Sequence, residues 1–251
     1  MNILTIDVGN TNIAICLFEK KKPIYFVKIK NSDLTKTKLQ QYLLKKSIKI
    51  EDTNIILSSV VPEISKRIID FLIINKIKFD LLKELIKSLE IKINIKQREK
   101  IGEDRITNAY YAKTKYLKNL IVIDFGTATT FDVIDSKGIY DGGIITPGID
   151  LSLKVLSERT AKLPLVKFAK TNNVIGRDTK NAIQSGFFWG YISMIQGLVD
   201  KISKEKKDSF RIILTGGNCD IFKSFIENVI VSDDLFNAKG LNFIMDEYLK
   251  K

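Results

Sequence analysis

The sequence contains no histidine, and that absence removes imidazole chemistry altogether. No Ser-His-Asp triad, imidazole base or histidine-ligated metal can be built from it. Any proton transfer must fall to Asp, Glu, Lys, Tyr or Cys. Cysteine is nearly as scarce. Cys16 and Cys219 stand far apart, without the paired spacing of a zinc site or a redox CxxC. Cys16 falls within an apolar, strand-like run and reads as a small core residue. No apolar stretch approaches the roughly 18 residues of a membrane span, because lysines and aspartates interrupt every run. The first apolar run starts at once, with Asp7 already inside it, so no signal peptide is expected and the protein should be cytoplasmic. The first glycine turn is not followed by the lysine of a P-loop.

What is present supports a globular chain. Its 251 residues and 28.6 kDa, 45% hydrophobic, suffice for one large domain or two of roughly 120 residues. The formal charge of +12 is open to nucleic acid, an anionic membrane or an acidic small ligand as partner. Yet the lysines are spread along the chain among isoleucines, asparagines and acids, as in KKSIKIED at 45–52. That spread reads as solvated surface and leaves nucleic-acid binding secondary.

One stretch occurs twice. LTIDVGNTNIAICLF at 4–18 matches IVIDFGTATTFDVID at 121–135, with Asp7 on Asp124 and Gly9 on Gly126 at a common offset of 117 (124 − 7 = 126 − 9). Each copy reads as a strand, an Asp-x-Gly turn and a returning strand, followed by a third strand at 24–30 or 138–146. NIILSSVVPE at 54–63 and RIILTGGNCD at 211–220 correspond as well, Ser58 to Thr215, each running from a buried strand through small residues into a helix. Helices are expected over 63–75, over 103–117 and from Asp178, a candidate N-cap. IKFDLL at 77–82 and IKINI at 91–95 suit strands. The boundary between halves belongs near residue 115, inside a helix, giving domains 1–115 and 116–251.

The turns carry the chemistry. A glycine there allows a tight backbone and leaves amides free to point at an anion. Asn10, Thr11 and Asn12 add donors, whereas Asp7 only accepts, so bound phosphate would need a cation or water beside it. Gly216 and Gly217 offer backbone without side chains to a flat ligand or its phosphates. GEDR at 102–105 packs two carboxylates and an arginine at a helix start, where one carboxylate can take a proton beside an anion-binding guanidinium. Asp104 is the preferred base, and an aspartate that orients and deprotonates a hydroxyl is enough for phosphoryl transfer. Each of these features also has a plain structural reading as turn, cap or core.

Taken in order, DVGNTN, GEDR, DFGTATT, GGIITPG, TAKLPLV, GRDT and TGG resemble type III pantothenate kinase, a member of the acetate kinase, sugar kinase, Hsp70 and actin superfamily. The resemblance spans essentially the whole chain. It implies an α/β fold of two duplicated actin-like, ribonuclease H-like domains with a nucleotide cleft between them. It implies phosphorylation of pantothenate by ATP, the first committed step towards coenzyme A. Motif for motif, Asp7, Val8, Gly9, Asn10, Thr11, Asn12, Ile13 and Ala14 would form the first phosphate loop, and Thr127 would contact ATP in the second. Gly102, Glu103, Asp104 and Arg105 would line the pantothenate pocket, with Asp104 as general base, and Thr179 would touch pantothenate too. Asp124 would hold a monovalent cation, K+ or NH4+. Mg2+ would accompany ATP through waters near Asp7. The family is dimeric, and the helix from 178, with Gly186, Phe187, Phe188, Trp189 and Gly190, is either part of a homodimer interface or core.

There are departures. The family usually has GADR, so Glu103 sets an extra carboxylate beside the base and would raise its pKa. Ile95 stands near a position where some members carry a substrate-contacting tyrosine, and the family's upstream Asn-Pro pair is missing. Two other readings remain: a related actin-like kinase acting on another small hydroxylated acid, and a non-catalytic regulator or nucleic-acid-binding protein of the same fold.

Overall fold

A computed structural model describes residues 2–43 and 50–250; most of the KKSIKIED run lies outside the described residues. The chain divides into two compact units. The first comprises Met1–Ile91, Lys96–Tyr111 and Phe236–Lys251, and the second Lys92–Ile95 and Ala112–Leu235.

In the first unit β1 (Asn2–Val8), β2 (Asn12–Glu19) and β3 (Lys22–Lys30) form a meander. Then come α1 (Lys36–Leu43), β4 (Thr53–Ser59), α2 (Pro62–Ile74), β5 (Asp80–Leu81) and α3 (Leu82–Leu85). The sheet order is β3-β2-β1-β4-β5, with β4 parallel to β1. β1 and β4 are covered on both faces, which is why they read as almost unbroken apolar runs. On β2 the period of two divides the side chains. Ile13, Ile15 and Leu17 join the core that includes Leu39 of α1 and Ile68 of α2, whereas Cys16 and Phe18 pack with Ala238. Cys16 is thus the core residue its context implied.

β6 (Lys92–Ile93) pairs in the second sheet, and α4 (Glu103–Lys115) spans the division, which falls after Tyr111. The second unit continues with β7 (Leu120–Phe125), β8 (Ala128–Ile134), β9 (Ile139–Pro147), α5 (Ile149–Glu158), α6 (Thr179–Lys206), β10 (Arg211–Gly216), α7 (Cys219–Phe222) and β11 (Val229–Ser232). α8 (Phe236–Tyr248) returns to the first unit. The second sheet runs β11-β10-β7-β8-β9-β6, so β7 to β11 repeat the order of β1 to β5. Its core gathers Phe188, Ile192 and Ile195 of α6 against Ile121, Ile123 and Phe131 of the sheet.

The repeat holds residue by residue. Asp7 pairs with Ser58 on the parallel neighbour, and Asp124 with Thr215. The amide of Val60 donates to the Val8 oxygen at 3.1 Å, and that of Gly217 to the Phe125 oxygen at 3.1 Å. The second hairpin is one residue tighter: Asp7 faces Ala14, seven positions on, but Asp124 faces Thr130, six on.

Two sequence expectations need amending. IKFDLL is a two-residue strand that turns at once into α3, because Leu82 and Leu85 bury inward at helical spacing. The glycine pair leads into a helix as expected, the single turn α7. A simple cut at 115 also misses two exchanges, since α8 packs on β1 and β2 while 92–95 pairs with β9.

Candidate functional site

The first turn is built by tying back its own carbonyls. Gly9 N–H donates to the Asn12 oxygen at 3.0 Å, and Asn31 N–H to the Thr11 oxygen at 2.9 Å. The Asn31 side-chain amide donates to the oxygens of Gly9 and Asn10 at 2.9 and 3.0 Å. Four carbonyls in a row are therefore engaged. Asn10 and Thr11 stand exposed at the tip, and Val8 and Ile13 close the hairpin behind them as buried partners. A rim stripped of free acceptors attracts anions.

The second turn uses the same plan with a different residue. Gly126 N–H donates to the Ala128 oxygen at 3.1 Å, and Gly148 N–H to the Thr127 oxygen at 3.0 Å. Gly148 stands 117 after Asn31 (148 − 31), so one position closes both turns. A Cβ on Gly148 would collide with the carbonyl oxygens of Gly126 and Thr127. This gives the GGIITPG motif its physical sense: the last glycine lets β9 lie against the turn. Thr127 itself is exposed.

Asp124 lies at the C-terminal end of β7, beside Gly216. Gly216 has φ +85°, and a Cβ there would lie 2.6 Å from both Asp124 Oδ1 and the Phe125 oxygen. The Asp124 carboxylate and the Phe125 main chain thus crowd the place a side chain would otherwise take, so glycine is required beside Asp124. Among the described residues no three of His, Cys, Asp and Glu gather as a metal cage.

GEDR forms the entry to α4. Asp104 Oδ1 accepts the Arg105 N–H at 2.8 Å, and a Cβ on Gly102 would strike that same Oδ1. Gly102 is the gap over which the carboxylate folds. Burial pushes the Asp104 pKa above the ordinary aspartate value, opposed by the N–H and guanidinium charge of Arg105. Glu103 is not the cause. Its carboxylate accepts the Ser59 N–H at 3.2 Å, and burial raises its own pKa, with the Asp104 charge a lesser contribution. The expectation that Glu103 perturbs the base gives way to desolvation as the reason.

Thr179 is exposed on the first turn of α6, whose N-cap is Asp178, accepting the Asn181 N–H at 2.8 Å. TAKLP follows the end of α5, and GRDT leads into α6. Thr160 Oγ1 donates to the Leu156 oxygen at 2.7 Å, and a Cβ on Gly176 would strike the amide of Ala182. Within the first unit, then, the turn at Asp7 and the GEDR segment are each held in place, and within the second, the turn at Asp124, the glycine pair and Gly148. Asn31 was missed from sequence. The doubled pattern could have found it, since it shares the offset of 117 with Gly148.

A family model described as type III pantothenate kinase matches residues 3–201. The chain is similar to the type III pantothenate kinase of Pelagibacter ubique, 41% identical over 248 residues that cover 95% of this chain and 96% of that one. It is 39% identical to the one from Persephonella marina over 253 residues, covering 95% and 96%. Among solved structures, MreB5 of Spiroplasma citri bound to ADP matches with a TM-score of 0.53 at 10% identity, covering 99% of this chain and 97% of that one. At that identity the likeness speaks to fold alone, and the fold is that of two actin-like domains.

Proposed function

The chain belongs to the type III pantothenate kinase family, and on that premise we propose that Asp104 is the base that takes the proton of the attacking pantothenate hydroxyl. The enzyme phosphorylates pantothenate with ATP to 4'-phosphopantothenate in coenzyme A biosynthesis. The observation that carries the role of Asp104 is its seating: a half-buried carboxylate, folded over Gly102, with its pKa raised by desolvation. A base closer in pKa to the working pH gives more driving force for proton transfer than a solvated aspartate.

In this reading Gly102, Glu103 and Arg105 bind pantothenate, and Thr179 touches it as well. Glu103 would act through the Ser59 amide it already holds, and Arg105 would offer its charge to a carboxylate or a developing phosphate charge. The segment Asp7 to Ala14 takes ATP phosphates at the turn whose backbone carbonyls are tied back, and Thr127 contacts ATP as well. Asp124 and the Phe125 carbonyl would hold the monovalent cation, K+ or NH4+, which supplies positive charge against the phosphates when bound. Mg2+ comes with ATP, near Asp7 and through water.

The enzyme acts as a homodimer in the cytoplasm. Supporting association, the second unit exposes Leu165, Val174 and Ile175, the last at 82%, and the glycines of α6 at 186 and 190 meet nothing within 4 Å. Phe188 and Tyr191 are core. The deciding experiment is a coupled assay with ATP and pantothenate in potassium and in sodium. ADP release that depends on pantothenate and is faster in potassium is expected. Release without pantothenate, or the same rate in both salts, would count against the reading.

A further inference from the structure

α4 carries Asp104, and within the first unit it is held by more than its own hydrogen bonds. Asn237, the second residue of α8, donates from Nδ2 to the main-chain oxygen of Asp104 at 3.1 Å and to Oδ1 of Asn108 at 3.2 Å. The Asp104 carbonyl can only accept, so the orientation of the Asn237 amide is determined. One turn on, a Cβ on Gly240 would lie 2.7 Å from Thr107 Cγ2 and 3.2 Å from Tyr111 Cβ. The backbone of α8 therefore rests directly on α4. Thr107 Oγ1 passes that contact to the first turn by donating to the Glu103 oxygen at 2.8 Å.

Farther along, Tyr110 donates to Glu247 at 2.8 Å, and the Tyr111 ring packs 4.9 Å from that of Phe236. Among these α8 contacts, Asn237 is the one that bonds to the residue carrying the base. Glu103, on Ser59, anchors the preceding residue. A carboxylate that leans on a neighbouring glycine and amide keeps its place only while its own turn does not fray.

Resting on the reading of Asp104 as base, we propose that Asn237 is a positioning residue for phosphoryl transfer, whose side-chain amide holds the Asp104 carbonyl and so keeps the carboxylate seated over Gly102. Small displacements of a reacting group cost large factors in rate, so the effect falls on turnover. Binding of ATP depends on the Asp7 turn, whereas the Asn237 amide bonds to α4.

The test uses the full chain, with kcat, both KM values and the pH profile measured for Asn237→Ala, Asn237→Gln and Asn237→Asp. Tyr110→Phe serves as a control for α4–α8 packing, and Asp104→Asn as a control for the base. For Asn237→Ala, kcat should fall about 10-fold or more while KM for ATP holds. The acid limb of kcat should move to lower pH, because a loosened turn admits water to the carboxylate. Asn237→Gln, which keeps a donor, should recover part of the rate, and isosteric Asn237→Asp, which has none, should not. Tyr110→Phe should lower the melting temperature and leave the acid limb in place. If Asn237→Ala does not fold, the Gln and Asp variants read the same quantity. Wild-type kcat and acid limb in Asn237→Ala or Asn237→Asp, or an equal shift of the limb in Tyr110→Phe, would overturn the proposal. A fully active Asp104→Asn would instead overturn the base assignment, and this proposal with it.

Discussion

At Asp104 the needs of folding and the proposed role as base are opposed. Burial raises its pKa, so the folded chain keeps the proton to a higher pH than the unfolded chain does. Stability therefore declines as pH rises from the ordinary aspartate value through the raised one, and at neutral pH the ionised carboxylate is a burden on the fold. Asp104→Asn removes that charge and keeps an oxygen for the Arg105 amide. It should melt higher than wild type at pH 7, lose about 100-fold or more of kcat and bind ATP unchanged; calorimetry with nucleotide titration checks both halves. In the wild type, kcat should fall on the acid side with a midpoint above that of an ordinary aspartate. Asp124 carries the other residue-scale expectation. Asp124→Ala should erase the difference between potassium and sodium in the assay, while a rate ratio unchanged from wild type would remove Asp124 from the cation site.

At the scale of elements, the two turns solve one problem by different means. Asn31 uses its side chain to collect the Gly9 and Asn10 carbonyls; Gly148, at the same offset, works by having none. Asn31→Ala loses two hydrogen bonds, each worth about 1 kcal/mol net, and turns two acceptors loose at the rim. KM for ATP should rise about tenfold with a smaller change in KM for pantothenate. Gly148→Ala puts a methyl into two carbonyl oxygens and should destabilise the second unit by about 1–3 kcal/mol, seen as a lower denaturation midpoint. Equal midpoints would mean that β9 can shift away from the turn.

At the scale of the molecule, duplication gives each unit the same turn at the end of a central strand. Each unit ends its central strand in a carboxylate beside a turn whose carbonyls are tied back. The two copies then diverged where Ser59 and Gly216 correspond. Ser59 gives its amide to Glu103, while Gly216, at φ +85°, lets the backbone lie directly against Asp124. The apolar side chains exposed on the second unit predict association. Light scattering should return about twice the 28.6 kDa of one chain, whereas a single-chain mass at assay concentrations would rule the homodimer out.

Sequence alone determined the repeat, the strands around both Asp-x-Gly turns, the long helix after Asp178 and the helix that starts at GEDR. These are local matters: apolar periodicity, glycine where the backbone must turn, and a cap where a helix begins. Contacts between distant segments were decided only by the tertiary structure. Two-residue strands such as β5 and β6 have no period to read. That α8 returns to the first unit follows from Ala238 fitting against Cys16 and Phe18, and the partners of Asn31 and Asn237 are carbonyls 21 and 133 residues away in the chain. A side-chain amide in a sequence carries no sign of its partner. The source of the raised Asp104 pKa was hidden for the same reason, because desolvation belongs to the folded surroundings and not to the glutamate next door.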